Sequence, residues 1–336
     1  MTKRMVLGML LLLSGTGMIF AQSKTGTTVA QFLMIEPSAR IAGMGNAGAT
    51  SYNEAQAAYY NPAAIGLLES NGVQFTHSPW LAGITYDYAC VGVNLGSAGN
   101  LYGSVTSLNS GDIDVRTVAS PLGTGERYDV SDLAFSLGYG REISERFSAG
   151  VIVSFIQERI WHSSMNAFSL NVGSLYRISP DGLHIGASIS NFGSRGQFDG
   201  YDLRVFYDQN VQAHGDNGQL PAELTTEEFA LPILFRVGLG YPLKFGDSHR
   251  VNLAVDAFHP SDNTESVSVG AEWVFLNTFA LRGGYQHLFQ QDSEVGLTLG
   301  AGIQIDLDTF RAFFDYGWAD YGRLDYTQRM TLGVTF

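Results

Sequence analysis

Residues 325–336 read D-Y-T-Q-R-M-T-L-G-V-T-F, and the sequence ends there on an aromatic residue. Tyr326, Met330, Leu332, Val334 and Phe336 share one parity; Thr327, Arg329, Thr331, Gly333 and Thr335 share the other. Successive side chains point to opposite faces of a strand, so this stretch carries one apolar and one polar face. Two folds accept such a strand. In a water-soluble sandwich its apolar face packs on a core. In a barrel that spans an outer membrane, the apolar face meets lipid, the polar face meets the lumen, and the strand closes the cylinder.

Upstream sequence decides between them. From residue 72 onward, fourteen segments show period-two alternation bounded by Gly, Asn, Asp or Ser, which reads as a series of strands. They begin with 73–78, 85–95 and 101–108, pass through 132–140, 147–160, 167–177 and 182–191, and break at 193–230. The series resumes with 231–241, 250–259, 265–275 and 279–286, then ends with 295–307, 310–318 and 326–336. A short segment at 113–117 reads as the extension of a loop hairpin. Spacing of about twenty residues per strand suits membrane-spanning strands of about ten residues with their connections. A sandwich seldom strings so many strands along one chain. The series therefore predicts an all-β fold, a transmembrane antiparallel barrel of about fourteen strands over residues 72–336.

Composition agrees. The 336 residues include 40 glycines, 16 tyrosines and 21 phenylalanines, with only 15% charged residues, against about 25% in ordinary soluble domains. The formal charge is −13, and removal of Lys3 and Arg4 makes it more negative. Such a balance argues against nucleic acid or anionic lipid as a partner. Residues 1–21 read as a secretory signal peptide: Lys3 and Arg4, an apolar core at 6–13, then I-F-A at 19–21. Cys90 is the sole cysteine and forms no internal disulfide.

Between the leader and the first strand, residues 22–71 differ from everything later. Residues 22–29 are polar and read as mobile. Residues 31–68 contain A-R-I-A-G-M-G-N-A-G-A-T at 39–50 and N-E-A-Q-A-A-Y-Y-N-P-A-A-I-G at 53–66. Gly43, Gly45 and Gly48 permit close backbone packing, Asn53-Glu54 reads as a helix start, and Asn61-Pro62 as its end. Small residues suit a segment packed inside something narrow, or a glycine-rich surface loop. Arg40 is the one charge between Pro37 and Asn53, so burial would demand an acidic or carbonyl partner.

Several stretches taken in order resemble the PorV/PorQ family of outer-membrane proteins, which is related to FadL-type transport barrels. They are A-R-I-A-G-M-G-N-A-G-A at 39–49, A-A-Y-Y-N-P-A-A-I at 57–65, A-L-P-I-L-F-R-V-G-L-G-Y at 230–241, H-P-S-D-N at 259–263, L-R-G-G-Y at 281–285 and the terminal strand. The resemblance implies a fourteen-stranded barrel in a Gram-negative outer membrane, with an N-terminal plug or hatch in its lumen. Arg40, Gly43, Gly45, Gly48, Asn61, Pro62 and Ala63 would belong to that plug. It implies an accessory or cargo-binding role in type IX protein secretion, with a translocon and secreted cargo proteins as partners beside outer-membrane lipid. The alternative is FadL-like passive transport of long-chain fatty acids or other hydrophobic small molecules. Met330, Leu332, Val334 and Phe336 are similar to the terminal signal that outer-membrane assembly machinery reads.

No enzyme, cofactor or metal is expected. The seven histidines show no i, i+4 zinc pairing, and there is no Gly-x-Ser-x-Gly. The acidic stretch at 193–230 offers oxygen ligands but no EF-hand spacing, and reads as a long external loop. Trp80, Trp161, Trp273 and Trp318 lie near predicted strand ends, which suits either membrane-interface anchoring or packing within the lumen.

Overall fold

A computed structural model describes residues 24–179, 181–210, 212, 219–246, 248–290 and 293–336. The signal-peptide reading at 1–21 and Asp216 of the acidic loop lie outside the described residues. Fourteen antiparallel strands form one closed barrel: β1 (Gly72–Pro79), β2 (Thr85–Asn94), β3 (Asn100–Asn109), β4 (Val130–Ser144), β5 (Phe147–Ile160), β6 (Ser163–Arg177), β7 (His184–Gly193), β8 (Leu234–Phe245), β9 (His249–Pro260), β10 (Ser266–Phe275), β11 (Phe279–Leu288), β12 (Leu297–Asp306), β13 (Arg311–Asp320) and β14 (Tyr326–Thr335). Each strand pairs with its sequence neighbour. Closure comes from β1 against β14, in register from Gly72↔Thr335 to His77↔Met330. A closed sheet leaves no unpaired edge, the condition for a sheet to survive in lipid.

Hydrophobicity is inverted relative to a soluble protein. On β14, Thr327, Arg329 and Thr331 are buried, whereas Leu332 is 57% exposed. The same alternation runs round the barrel. Phe75, Phe135, Leu137, Val153, Phe168, Leu281 and Leu299 face outward, while Gln74, Thr76, Ser104, Asp256, Glu272 and Arg282 are buried inside. A continuous exposed apolar band of this kind is stable only against an apolar solvent.

The connections differ sharply between the two ends. At the end where β1 starts they are short: 95–99, 145–146, 178–183, 246–248, 276–278 and 307–310. Leu276 and Asn277 both have positive φ (52° and 53°), which gives the β10–β11 hairpin the turn twist that its strands need. At the other end two connections are long, 110–129 and 194–233. Outer-membrane barrels place short turns in the periplasm and long loops outside.

The structure corrects several sequence readings. The 193–230 break is not structureless: Arg204–Tyr207 pairs with Leu220–Glu223, and Asp199–Gly200 adds to β6. Residues 113–117 contribute only Ile113–Asp114, paired with Arg127–Tyr128. The helix expected from Asn53 is a single turn, Ala57–Tyr60, because Asn53 itself sits at φ 64°. Residues 24–29 are not free; they hydrogen-bond to loop residues at the long-loop end. The β-bulges at 142–144 of β4, at the β6–β7 pairing and at the β10–β11 pairing leave no mark in the alternation.

Candidate functional site

Residues 30–68 run against the inward faces of the strands. Two short turns organise them. Ser38 caps Ala39–Ala42, its hydroxyl accepting from the Ile41 N–H at 3.3 Å, and the Ala39 N–H donates to Thr331 Oγ1 of β14 at 3.1 Å. Asn61 caps the 3₁₀ turn Pro62–Leu67 by accepting from the Ala63 N–H at 3.1 Å. Its amide donates to Ala49 O at 2.8 Å and Ser174 O of β6 at 3.0 Å. The Asn-Pro-Ala sequence thus fixes three things at once: its own turn, the glycine-rich turn that ends at Ala49, and the wall. All three residues are buried.

Small residues are needed on both sides of this contact. Gly43 lies against the Gly300 backbone of β12. A Cβ on Gly45 would stand 2.6 Å from Val269 O, at a φ of +66°. Gly48 leaves room for the Tyr60 ring, 2.6 Å from where its Cβ would be. The wall reciprocates: side chains at Gly150, Gly173, Gly186 and Gly270 would collide with Pro62, Asn61, Ala49 and Met44.

Charges also tie the segment to the wall. Arg40 donates to both oxygens of Glu272 on β10 at 2.8 Å each and to Glu54 at 3.0 Å. Arg282 of β11 donates to the same Glu272 (2.9 Å) and to Asp315 of β13 (2.6 Å), and Asn252 adds a third donor to Glu272. A second cluster surrounds Glu36. Arg236 of β8 reaches its carboxylate at 3.2 Å and Tyr60 O at 3.0 Å, while Arg329 of β14 donates to Glu36 O at 2.9 Å. Arg236 lies 5.1 Å from both the Tyr60 and Phe258 rings, and Arg329 lies 5.0 Å from the Trp80 ring. Asp256 of β9 accepts from the Ala49 N–H at 2.8 Å.

These wall charges were not singled out from sequence, although Arg236, Arg282 and Arg329 lie inside three of the quoted stretches. The available signal was parity: each sits on the polar, inward face of its strand, where a charge must find a partner. Of the tryptophans, Trp161 and Trp273 are exposed outward, whereas Trp80 turns inward onto Arg329.

Breaking this network is costly, because removing one partner strands the others in a buried site. Arg40→Met is expected to destabilise the folded barrel by about 3–5 kcal/mol. The check is the temperature at which the barrel loses its compact gel mobility. A combined Arg40→Met, Glu54→Gln chain should recover part of the loss, since Glu54 is the carboxylate left without its ion-pair partner while Glu272 keeps Arg282; no change in the single variant would contradict the contact's role.

Two cavities frame the segment. A cavity of about 1120 Å³ opens at the short-turn end, lined by Arg40, Glu54, Arg250, Glu272, Asp315 and Phe336 among others. Its charged walls suit water. A second, of about 30 Å³, lies among Phe32, Tyr59, Tyr88 and Tyr102, room for about one water molecule. Outside, at the long-loop end, Val118, Leu122, Tyr201, Phe206, Tyr207 and Leu224 are exposed on the two long loops. There Asp202, whose carboxyl is held below its usual range by a hydrogen bond with His162, ties the loop to the β5–β6 turn.

The fold is shared with solved transport barrels. A Pseudomonas aeruginosa FadL homologue superposes with a TM-score of 0.54 at 10% identity, covering 89% of this chain and 98% of the other. The Pseudomonas putida toluene transporter TodX gives 0.56 at 12% identity, with 90% and 98% covered. The Ralstonia pickettii toluene transporter TbuX gives 0.54 at 12% identity, with 89% and 97% covered. No curated protein matches the sequence. The family model described as "Type IX secretion system protein PorV" matches residues 19–260. That span includes the glycine-rich stretch, the Asn-Pro-Ala turn, and the strands carrying Arg236 and Asp256, so the chain belongs to the PorV family of outer-membrane β-barrel proteins.

Proposed function

We propose that this protein is an accessory, cargo-binding component of type IX protein secretion in a Gram-negative outer membrane, and that it acts through its surface. Residues 31–68 serve as the plug, with Arg40, Gly43, Gly45, Gly48, Asn61, Pro62 and Ala63 fitting it to the wall. The observation that carries this reading, beside the family match, is the filled lumen. A carrier of hydrophobic molecules needs a continuous apolar pocket with an exit. Here the larger cavity is lined by the charged Arg40, Glu54, Arg250, Glu272 and Asp315, and the smaller one holds about 30 Å³. The exposed apolar residues of the long loops offer a surface for polypeptide partners instead.

FadL-like transport of fatty acids or other hydrophobic small molecules is the second reading, favoured by the shared fold with TodX and TbuX, which are transporters of toluene. Deleting the gene separates the two. The secretion reading expects proteins destined for the cell surface to accumulate in the periplasm. Unchanged secretion together with loss of growth on a hydrophobic substrate would favour transport.

A further inference from the structure

The N-terminal segment does not merely enter the barrel; it runs its full length. Asn71 exchanges backbone hydrogen bonds with Phe336 at the short-turn end, where β1 begins. Upstream, Glu36 and Ala39 meet Arg329 and Thr331 midway along β14. Phe32 is buried among Ala134, Ile156, Met165 and Ala167. Further still, the chain reaches the long-loop end. The Val29 N–H donates to Ala230 O and the Lys24 N–H to Asp262 O, both at 3.1 Å. Thr28 forms a parallel bridge with Ala230, and its hydroxyl donates to the Asp262 carboxylate at 2.6 Å, which also accepts from the Gln31 amide. Ala230 belongs to the β7–β8 loop and Asp262 to the β9–β10 connection, which lie at the same end. Residues 24–27 are exposed there.

We propose that residues 24–31 of this protein are displayed at the outer cell surface, across the membrane from Phe336, strapped to the rim by Asp262 and Ala230. Fourteen strands alone would return both ends of the barrel to one side; the passage through the lumen separates them. Orientation follows from short turns facing the periplasm, independently of any role in secretion. Two consequences follow. The strap ties the long acidic loop to the interior segment, so a partner that moves that loop pulls on the chain leading to Glu36 and Arg40. The β1–β14 seam must also close around the segment, since Phe32 and the Tyr59–Tyr60 pair could not be drawn through a lumen already packed to contact.

The unaltered protein allows a direct test. Beyond residue 21 the sequence contains two lysines, Lys24 and Lys244. Lys24 is exposed at the long-loop end, and Lys244 is exposed at the short-turn end, paired with Asp181. Intact cells are treated with a membrane-impermeant amine-acylating reagent, and the modified lysines are identified by mass spectrometry of the purified barrel. The expected result is modification of Lys24 with Lys244 spared, and modification of both once the outer membrane is opened. Lys24 spared in intact cells and acylated only after opening would overturn the proposal, as would selective modification of Lys244.

Discussion

Chains lacking residues 330–336 are expected to leave no folded barrel in the outer membrane. Every recorded pair between β14 and β1, from Gly72↔Thr335 to His77↔Met330, involves one of the deleted residues, and so do the β13 pairs from Arg311↔Thr335 to Tyr316↔Met330. The deletion therefore opens the cylinder and bares two strand edges to lipid, at several kcal/mol per unsatisfied backbone group. Met330, Leu332 and Val334 lie on the outward parity of β14, with the exposed Phe336 one residue past its end, where a signal for the assembly machinery would have to be presented. Loss of the heat-modifiable species from outer-membrane fractions is the readout. A point change, Phe336→Ala, separates recognition from closure. Its backbone bonds with Asn71 remain available, so a fall in insertion without a fall in stability of the inserted fraction would mark a recognition defect. Normal surface levels of the truncated chain would refute the closing role of this strand.

The second large effect is expected from residues 31–68. A chain without them loses the partners that the segment gives to Arg236, Arg329, Glu272 and Asp256, and leaves a polar, hydrated lumen. Such a barrel is expected to insert and to conduct ions in planar bilayers, whereas the intact protein stays closed. Gly45→Trp tests the same packing more finely. With Val269 O 2.6 Å from a bare Cβ and the backbone at φ +66°, an indole has no place between segment and wall. The variant should either fail to fold or conduct like the deletion. A deletion that conducts no better than the intact protein would remove the plug role.

The barrel was readable because period-two alternation is imposed on each strand by two different solvents, lipid outside and a polar lumen within. Leu332 and Thr331 belong to opposite worlds, and the sequence has to say so. Strand number followed from the same signal, since Gly, Asn and Asp punctuate the hairpins. Loop strands such as Arg204–Tyr207 carry no such constraint, because both faces of that ribbon meet water. Bulges escaped for a related reason: an extra residue on β7 near Asn191, at φ 61°, shifts parity for only a few positions.

Around the segment, legibility was uneven. Its glycines and Arg40 stood out as unusual in composition, and Asn61-Pro62 as a turn. Their partners did not. Glu272 lies 232 positions from Arg40, and an inward Glu on one strand looks the same from sequence whether water or a guanidinium faces it. The path of residues 24–29 to the long-loop end was hidden likewise, since a handful of hydrogen bonds to Asp262 and Ala230 leaves no pattern in a short polar stretch.

Affinity purification of the intact protein from native outer membrane, with identification of everything that accompanies it, tests the central claim most directly. A PorV-family barrel that works through its rim and outer wall should bring with it a large translocon and secreted proteins caught in transit. Recovery of the barrel alone with a bound fatty acid or other hydrophobic molecule would contradict the account.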